Sequence, residues 1–191
     1  MDVLGFSLGG FVAQEIALAE PKLVRRLMLL GTGPRGGKGM DAARLKATGS
    51  SERPIRRRTT LWLSVFFTSS QASQAAGRAF LKRFRLRAKD RDPEVNNKVA
   101  PAQRAAIAKW AAPRERPYDY LKAIQQPTLV VNGVFDEMIP VSNSYWLGEH
   151  LPNAVLMTYP DSGHGSLFQF HESFTRQAGA FLASESATAP Y

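Results

Sequence analysis

The chain has 191 residues, 44% of them hydrophobic and 21% charged. Those values allow one globular body with a real core and exclude a fibrous or low-complexity protein. It contains no cysteine, which excludes disulfides, thiolate zinc sites and a cysteine nucleophile, and its three histidines leave little scope for a histidine metal centre.

The formal charge of +9 is local: 20 of the 25 Lys and Arg lie between Pro34 and Pro117 with only 6 of the 16 Asp and Glu. That segment is +14 and the remainder −5. A basic face confined to one run of helical pattern reads as a solvated surface, not as a nucleic-acid interface. No apolar run is long enough to span a bilayer, and no cationic leader precedes an apolar stretch. A cytoplasmic setting is expected.

In chain order, Asp2-Val3-Leu4 reads as a strand stub followed by the sharp turn Gly5-Phe6-Ser7-Leu8-Gly9-Gly10. Leu8 to Glu20 favours helix, with Phe11, Val12, Ile16 and Ala19 as its apolar stripe, and Pro21 stops it. Leu27-Met28-Leu29-Leu30 reads as a strand buried on both faces, closed by Gly31-Thr32-Gly33. Strand, helix and strand in this order predict a parallel pair with a right-handed crossover.

From Pro34 to Pro117 the pattern is helical, opening on a basic, Gly-rich loop. Thr68 and Gln71 have capping-box spacing before an amphipathic helix from Ala72 to Arg87; Asp92-Pro93 breaks the pattern, and a further helix runs from Pro101 to Ala112. Trp62, Phe66, Phe67, Phe80 and Phe84 are its apolar anchors, expected to pack this layer on its neighbour and, for some, to line a cavity. The α/β pattern then returns. Thr128-Leu129-Val130-Val131 is a strand, Pro140 to His150 a helix and Ala154 to Tyr159 a strand. A last helix starts at Ser166, capped with Gln169, and residues after Ala183 read as frayed.

Chemistry concentrates at three turns. Gly5-Phe6-Ser7-Leu8-Gly9 is a G-x-S-x-G pattern between strand and helix, where a strained turn lifts the serine hydroxyl above a sheet. Side chains two residues to either side are expected to collide there, hence the two glycines. A serine hydroxyl needs a general base. His164, in Gly163-His164-Gly165 after a strand, is the candidate; His150 ends a helix and His171 falls inside one. The base needs an acid to fix its tautomer. Asp136 follows a strand and is the candidate, with Glu137 as fallback, while Asp161 is placed to order the histidine loop. Ser7, Asp136 and His164 in that order, each after its own strand, form a coherent set.

These residues resemble the α/β-hydrolase superfamily, in particular its esterase, haloperoxidase-like and carbon–carbon hydrolase branch. The resemblance rests on Gly5 to Gly10, on Asn132-Gly133-Val134-Phe135-Asp136 with Pro140, and on Gly163-His164-Gly165. It implies a mostly parallel sheet flanked by helices, with residues 1–33 and 118–191 forming an α/β core and residues 34–117 an inserted helical lid. It implies Ser7 as nucleophile, His164 as base, Asp136 as acid and the Leu8 N–H as an oxyanion donor, with no metal and no organic cofactor.

Members of that family place several strands before the elbow, whereas Ser7 has six residues ahead of it. The sequence therefore reads as the C-terminal part of such a fold, with weak activity and an open edge strand expected. Hydrolysis of an ester or related acyl bond in a small molecule with an apolar portion is the leading expectation. Carbon–carbon cleavage or peracid formation by the same residues, a non-catalytic binding protein and an electrostatic binder are the alternatives.

Overall fold

The computed structural model describes residues 1–40, 62–86, 89–90 and 98–184. Four strands, β1 (Asp2–Phe6), β2 (Arg26–Leu30), β3 (Thr128–Gly133) and β4 (Ala154–Tyr159), form one parallel sheet in sequence order. Helix α1 (Leu8–Ala19) links β1 to β2, and α4 (Ser142–His150) links β3 to β4. Between β2 and β3 lie a helical segment at 62–66, α2 (Gln71–Phe84), α3 (Val99–Ala111) and a 3₁₀ turn (Asp119–Ala123). Beyond β4 come α5 (Ser166–Gln169) and α6 (His171–Ala183).

The middle strands β2 and β3 are buried at every position, which is why their sequences are apolar runs. Their alternate residues divide between two cores. Leu27, Leu29 and Val130 face α1 and α4, beside Ala13, Ala17, Leu147 and Leu151. Met28, Leu30, Leu129 and Val131 face α6, where Phe181, Ala178 and the half-buried Phe174 close the other side. The result is helix, sheet and helix in three layers.

Burial in α1 departs from the expected stripe. Phe11, Ala13, Gln14 and Ala17 are buried, while Val12 is 52% exposed and Ala19 exposed. Gly10, Ala13 and Ala17 are small enough to bring the helix close to the sheet. Gln14 is wholly buried because its amide is satisfied: it donates to the carbonyls of Gly10 (3.0 Å) and Gly33 (3.2 Å) and accepts from the Tyr120 hydroxyl (2.7 Å). Burial pushes the Tyr120 phenol well above its ordinary pKa.

Both expected capping boxes differ in the structure. Ser70, not Thr68, caps α2, accepting from the Ser73 N–H at 3.0 Å. The last helix is two helices with a break at Phe170; Gly165 precedes the first, and Gln169 bonds elsewhere. Helix α2 ends at Phe84, short of the expected Arg87, because Arg85 and Leu86 turn away from the helix. The expected break at Asp92-Pro93 and the tail from residue 185 lie outside the described residues.

Aromatic side chains of the segment between β2 and β3 pack on the α/β body. Trp110 of α3 stacks on Phe11 at 4.8 Å and donates its indole N–H to the Gly33 carbonyl. Phe66 and Phe80 pack on Phe168 at 5.7 and 4.6 Å. Among the described residues no helix is long and apolar enough to cross a membrane.

Candidate active site

The C-terminal ends of the four strands gather the chemistry, as in open parallel sheets generally. Ser7 follows β1 with φ 55° and ψ −125°, a left-handed conformation rare for a non-glycine residue. Its N–H donates to the Leu30 carbonyl at 2.9 Å, which ties the turn to β2. The turn brings the incoming strand against the outgoing helix: a Cβ on Gly5 would lie 2.6 Å from the Gly10 Cα. Gly10 faces the side chain of Thr32, so a methyl there would overlap it. The expected collision at Gly9 is absent, since a Cβ there would meet nothing within 4 Å among the described residues. Close approach therefore demands glycine at positions 5 and 10.

Asp136 and His164 are brought into direct contact. Asp136 Oδ2 lies 2.8 Å from His164 Nδ1, with both side chains buried. The other oxygen, Oδ1, accepts from the backbone N–H groups of Met138 and Ile139, both at 2.9 Å. Those two bonds fix the carboxylate plane and leave Oδ2 aimed at the imidazole. Such a carboxylate sets the imidazole tautomer, placing the proton on Nδ1 and the lone pair on Nε2.

The His164 ring lies over the end of β2, with Cε1 3.4 Å from the position a Gly31 Cβ would take. It also packs on Phe6, the residue before Ser7, at 4.9 Å between ring centres, and edge-on to Phe66 at 5.7 Å. Ser7 thus stands at the same end of the sheet as the His–Asp pair. Its hydroxyl makes no hydrogen bond to His164 among the described residues. In free enzymes such bonds are often long and tighten only around substrate.

The other candidates are elsewhere. His150 sits on α4 with Nδ1 3.0 Å from the Trp146 carbonyl, and His171 opens α6 on the surface. Glu137 is exposed, and Asp161 meets Thr68 and Ser70, not His164. The sequence reading missed the Met138 and Ile139 amides, although an acid followed closely by a turn before Pro140 was a usable signal. It also missed the backbone of Val65 and Phe66, whose carbonyls accept from the N–H groups of His164 (3.2 Å) and Gly165 (3.0 Å). Nothing in the local pattern of those residues signals that contact.

Ser7 and Leu8 open into a cleft of about 560 Å³, walled by Phe6, Val12 and Met138 and, from α3, by Arg104 and Ile107. The wall is largely apolar with one guanidinium. Leu8 is the first residue of α1, so its N–H belongs to the first turn, whose donors have no partner within the helix.

Residues 1–170 match the alpha/beta hydrolase fold family. The chain is 29% identical over 181 residues to the pimeloyl-[acyl-carrier protein] methyl ester esterase of Nitrosomonas europaea, covering 90% of this chain and 67% of that protein. It is 28% identical over 196 residues to the 2-hydroxymuconate semialdehyde hydrolase of Pseudomonas putida, covering 97% and 63%. Among solved structures, an alpha/beta hydrolase fold protein from Chitinophaga pinensis superposes with a TM-score of 0.86 at 38% identity, over 96% of this chain and 65% of that one. The chain thus spans about two thirds of the length of these relatives. With the elbow at Ser7, the parallel sheet and a match over 170 of its residues, the chain belongs to the alpha/beta hydrolase fold family.

Proposed function

We propose that the protein hydrolyses an ester or related acyl bond through an acyl-Ser7 intermediate. One observation carries the reading: the buried 2.8 Å contact between Asp136 and His164 beside a serine held in a left-handed elbow. In this mechanism Ser7 Oγ attacks the carbonyl carbon while His164 Nε2 takes its proton. The developing oxyanion is met by the Leu8 N–H at the start of α1. The imidazolium, steadied by Asp136, then protonates the leaving alcohol. Water, deprotonated by the same imidazole, attacks the acyl carbon and frees Ser7. No step calls for a metal or an organic cofactor.

Residues 34–117 act in this reading as a lid over an α/β core formed by residues 1–33 and 118–191. Phe6, Val12, Ile107 and Met138 favour a small-molecule substrate with an apolar portion; nucleic acid has no part in it, and the cytoplasm is its setting. A second reading, hydrolysis of a carbon–carbon bond by the same three residues, draws on the similarity to the Pseudomonas putida 2-hydroxymuconate semialdehyde hydrolase.

The test is labelling of the purified protein by a fluorophosphonate, read by intact mass, with Ser7→Ala and His164→Ala beside it. Labelling that disappears in both variants supports the mechanism; labelling that persists in Ser7→Ala overturns it. A panel of aryl esters and of vinylogous diketones then separates the two readings.

A further inference from the structure

Asp161 lies outside the proposed catalytic set, yet both of its carboxylate oxygens are engaged by another part of the chain. Thr68 Oγ1 donates to Oδ1 and Ser70 Oγ donates to Oδ2, each at 2.5 Å. A few residues earlier, the same stretch of backbone accepts the N–H groups of His164 and Gly165 on the carbonyls of Val65 and Phe66. The contacts form a closed ring, running from Asp161 to Thr68 and Ser70, back along the chain to Val65 and Phe66, and across to His164.

A second ring braces the first. Gln169 donates to the Asp161 carbonyl at 2.7 Å and accepts from the Ser73 hydroxyl at 2.8 Å, while Ser73 Oγ also accepts the Thr68 N–H at 2.9 Å. The strap presses so close that a Cβ on Gly163 would lie 2.9 Å from the Val65 carbonyl oxygen, and one on Gly165 2.6 Å from the Phe66 Cβ. The glycines flanking His164 make room for the strap.

A loop with two glycines loses much backbone entropy when ordered, and it does not hold a base in place unaided. Acid–base chemistry requires placement to within a fraction of an ångström. The geometry points to Asp161 as a positioning residue that clasps the strap at residues 65–70 against the loop at 161–165, and thereby holds His164 where its Nδ1 meets Asp136. The consequence for rate rests on the hydrolase reading above; the placement of His164 is observable without turnover.

Three variants test the clasp. Thr68→Val removes one donor without touching the histidine loop. Asp161→Gly removes both acceptors at a residue with φ 47°, where glycine is unstrained. Asp161→Asn keeps one acceptor oxygen and tolerates the left-handed backbone. Two readouts are taken: the downfield proton resonance of His164 Nδ1–H in histidine-labelled protein, and the rate of fluorophosphonate labelling at Ser7. Val24→Ala, in the core beneath the opposite sheet face, is the control for lost stability.

The expected result is that Thr68→Val and Asp161→Gly broaden the resonance into solvent exchange and slow labelling about ten- to a hundredfold, as a displaced catalytic group does. Asp161→Asn stays much nearer the wild type, Val24→Ala keeps the resonance, and the Thr68→Val/Asp161→Gly double variant is no worse than Asp161→Gly alone. A resonance that stays sharp in Thr68→Val and Asp161→Gly overturns the proposal, and so does additivity in the double variant. If wild-type Ser7 is not labelled, the hydrolase reading fails and the resonance alone decides the clasp. If Asp161→Gly does not fold, Thr68→Val decides it.

Discussion

Ser7 and the His164–Asp136 pair stand at the same end of one sheet, but different forces hold them. The serine is placed by backbone sterics within a few residues: a strand, a left-handed turn and a helix whose first turn presses on Gly5. The pair is placed by polar contacts between distant parts of the chain, 28 residues apart within the pair and more than 90 apart between Asp161 and its two hydroxyl donors. Added bulk should therefore displace Ser7, whereas lost polarity should displace His164.

The largest test of that division is Asp136→Asn. An amide fills the same space and still accepts from the Met138 or Ile139 N–H, but it stabilises the wrong imidazole tautomer. By analogy with the serine proteases, the loss is about 10⁴-fold in rate with little change in fold. The measurement is fluorophosphonate labelling beside a thermal melt. A labelling rate within tenfold of wild type would show that the carboxylate is not what orients His164.

Gly5→Ala attacks the other half. Its Cβ meets backbone on the Gly9–Gly10 turn, and backbone cannot step aside as a flexible side chain can. Overpacking of this kind costs about 1–3 kcal/mol. Labelling at Ser7 should fall, while the His164–Asp136 resonance persists because its supports lie on β3, β4 and the strap. Loss of both signals together in a protein that still melts cooperatively would mean that the two halves are not independent.

That division also accounts for what was legible in the sequence. The strands β2 and β3 were readable because burial on both faces writes a continuous apolar run, and the elbow because its turn needs the glycine at position 5, although not the one at position 9. That Ser7, Asp136 and His164 come to one end of the sheet was readable from the residue type and the strand before each. The stripe on α1 was half readable: Phe11 is buried and Ile16 packs on the core, but Val12 and Ala19 are exposed while small residues and a satisfied Gln14 are buried instead. The strap was invisible because carbonyls of Val65 and Phe66 do its work, and any residue carries a carbonyl. Likewise Thr68 and Ser70 look alike in the sequence and both hydroxyls reach Asp161, but only Ser70 also accepts the Ser73 N–H.

Gly9→Ala sharpens the steric half with a smaller effect of opposite sign. A methyl there meets nothing within 4 Å among the described residues, and the position is helical. Replacing glycine by alanine at a compatible helical site stabilises by about 0.4–1 kcal/mol, chiefly by restricting the unfolded chain. A raised melting temperature beside a lowered one for Gly5→Ala would separate the glycine the turn requires from the one it does not. Destabilisation by both would place an unseen contact against Gly9.

The smallest effect is a pH dependence at the clasp. The hydroxyl donors Ser70 and Thr68 hold the Asp161 carboxyl below its ordinary pKa. A carboxyl whose folded pKa is depressed contributes stability above the unfolded value, and that contribution is lost as pH falls through the folded value. The melting-temperature advantage of wild type over Asp161→Asn should therefore be flat from neutral pH down to the ordinary carboxylate range, then shrink with further acidification. Asparagine cannot titrate, so the difference isolates one proton. Because Asp161 is only partly buried, the effect should be modest and weakened by salt, unlike the buried His164–Asp136 contact. An advantage that instead grows on acidification would mean that Thr68 and Ser70 favour the protonated carboxyl, and that the clasp is not built on charge.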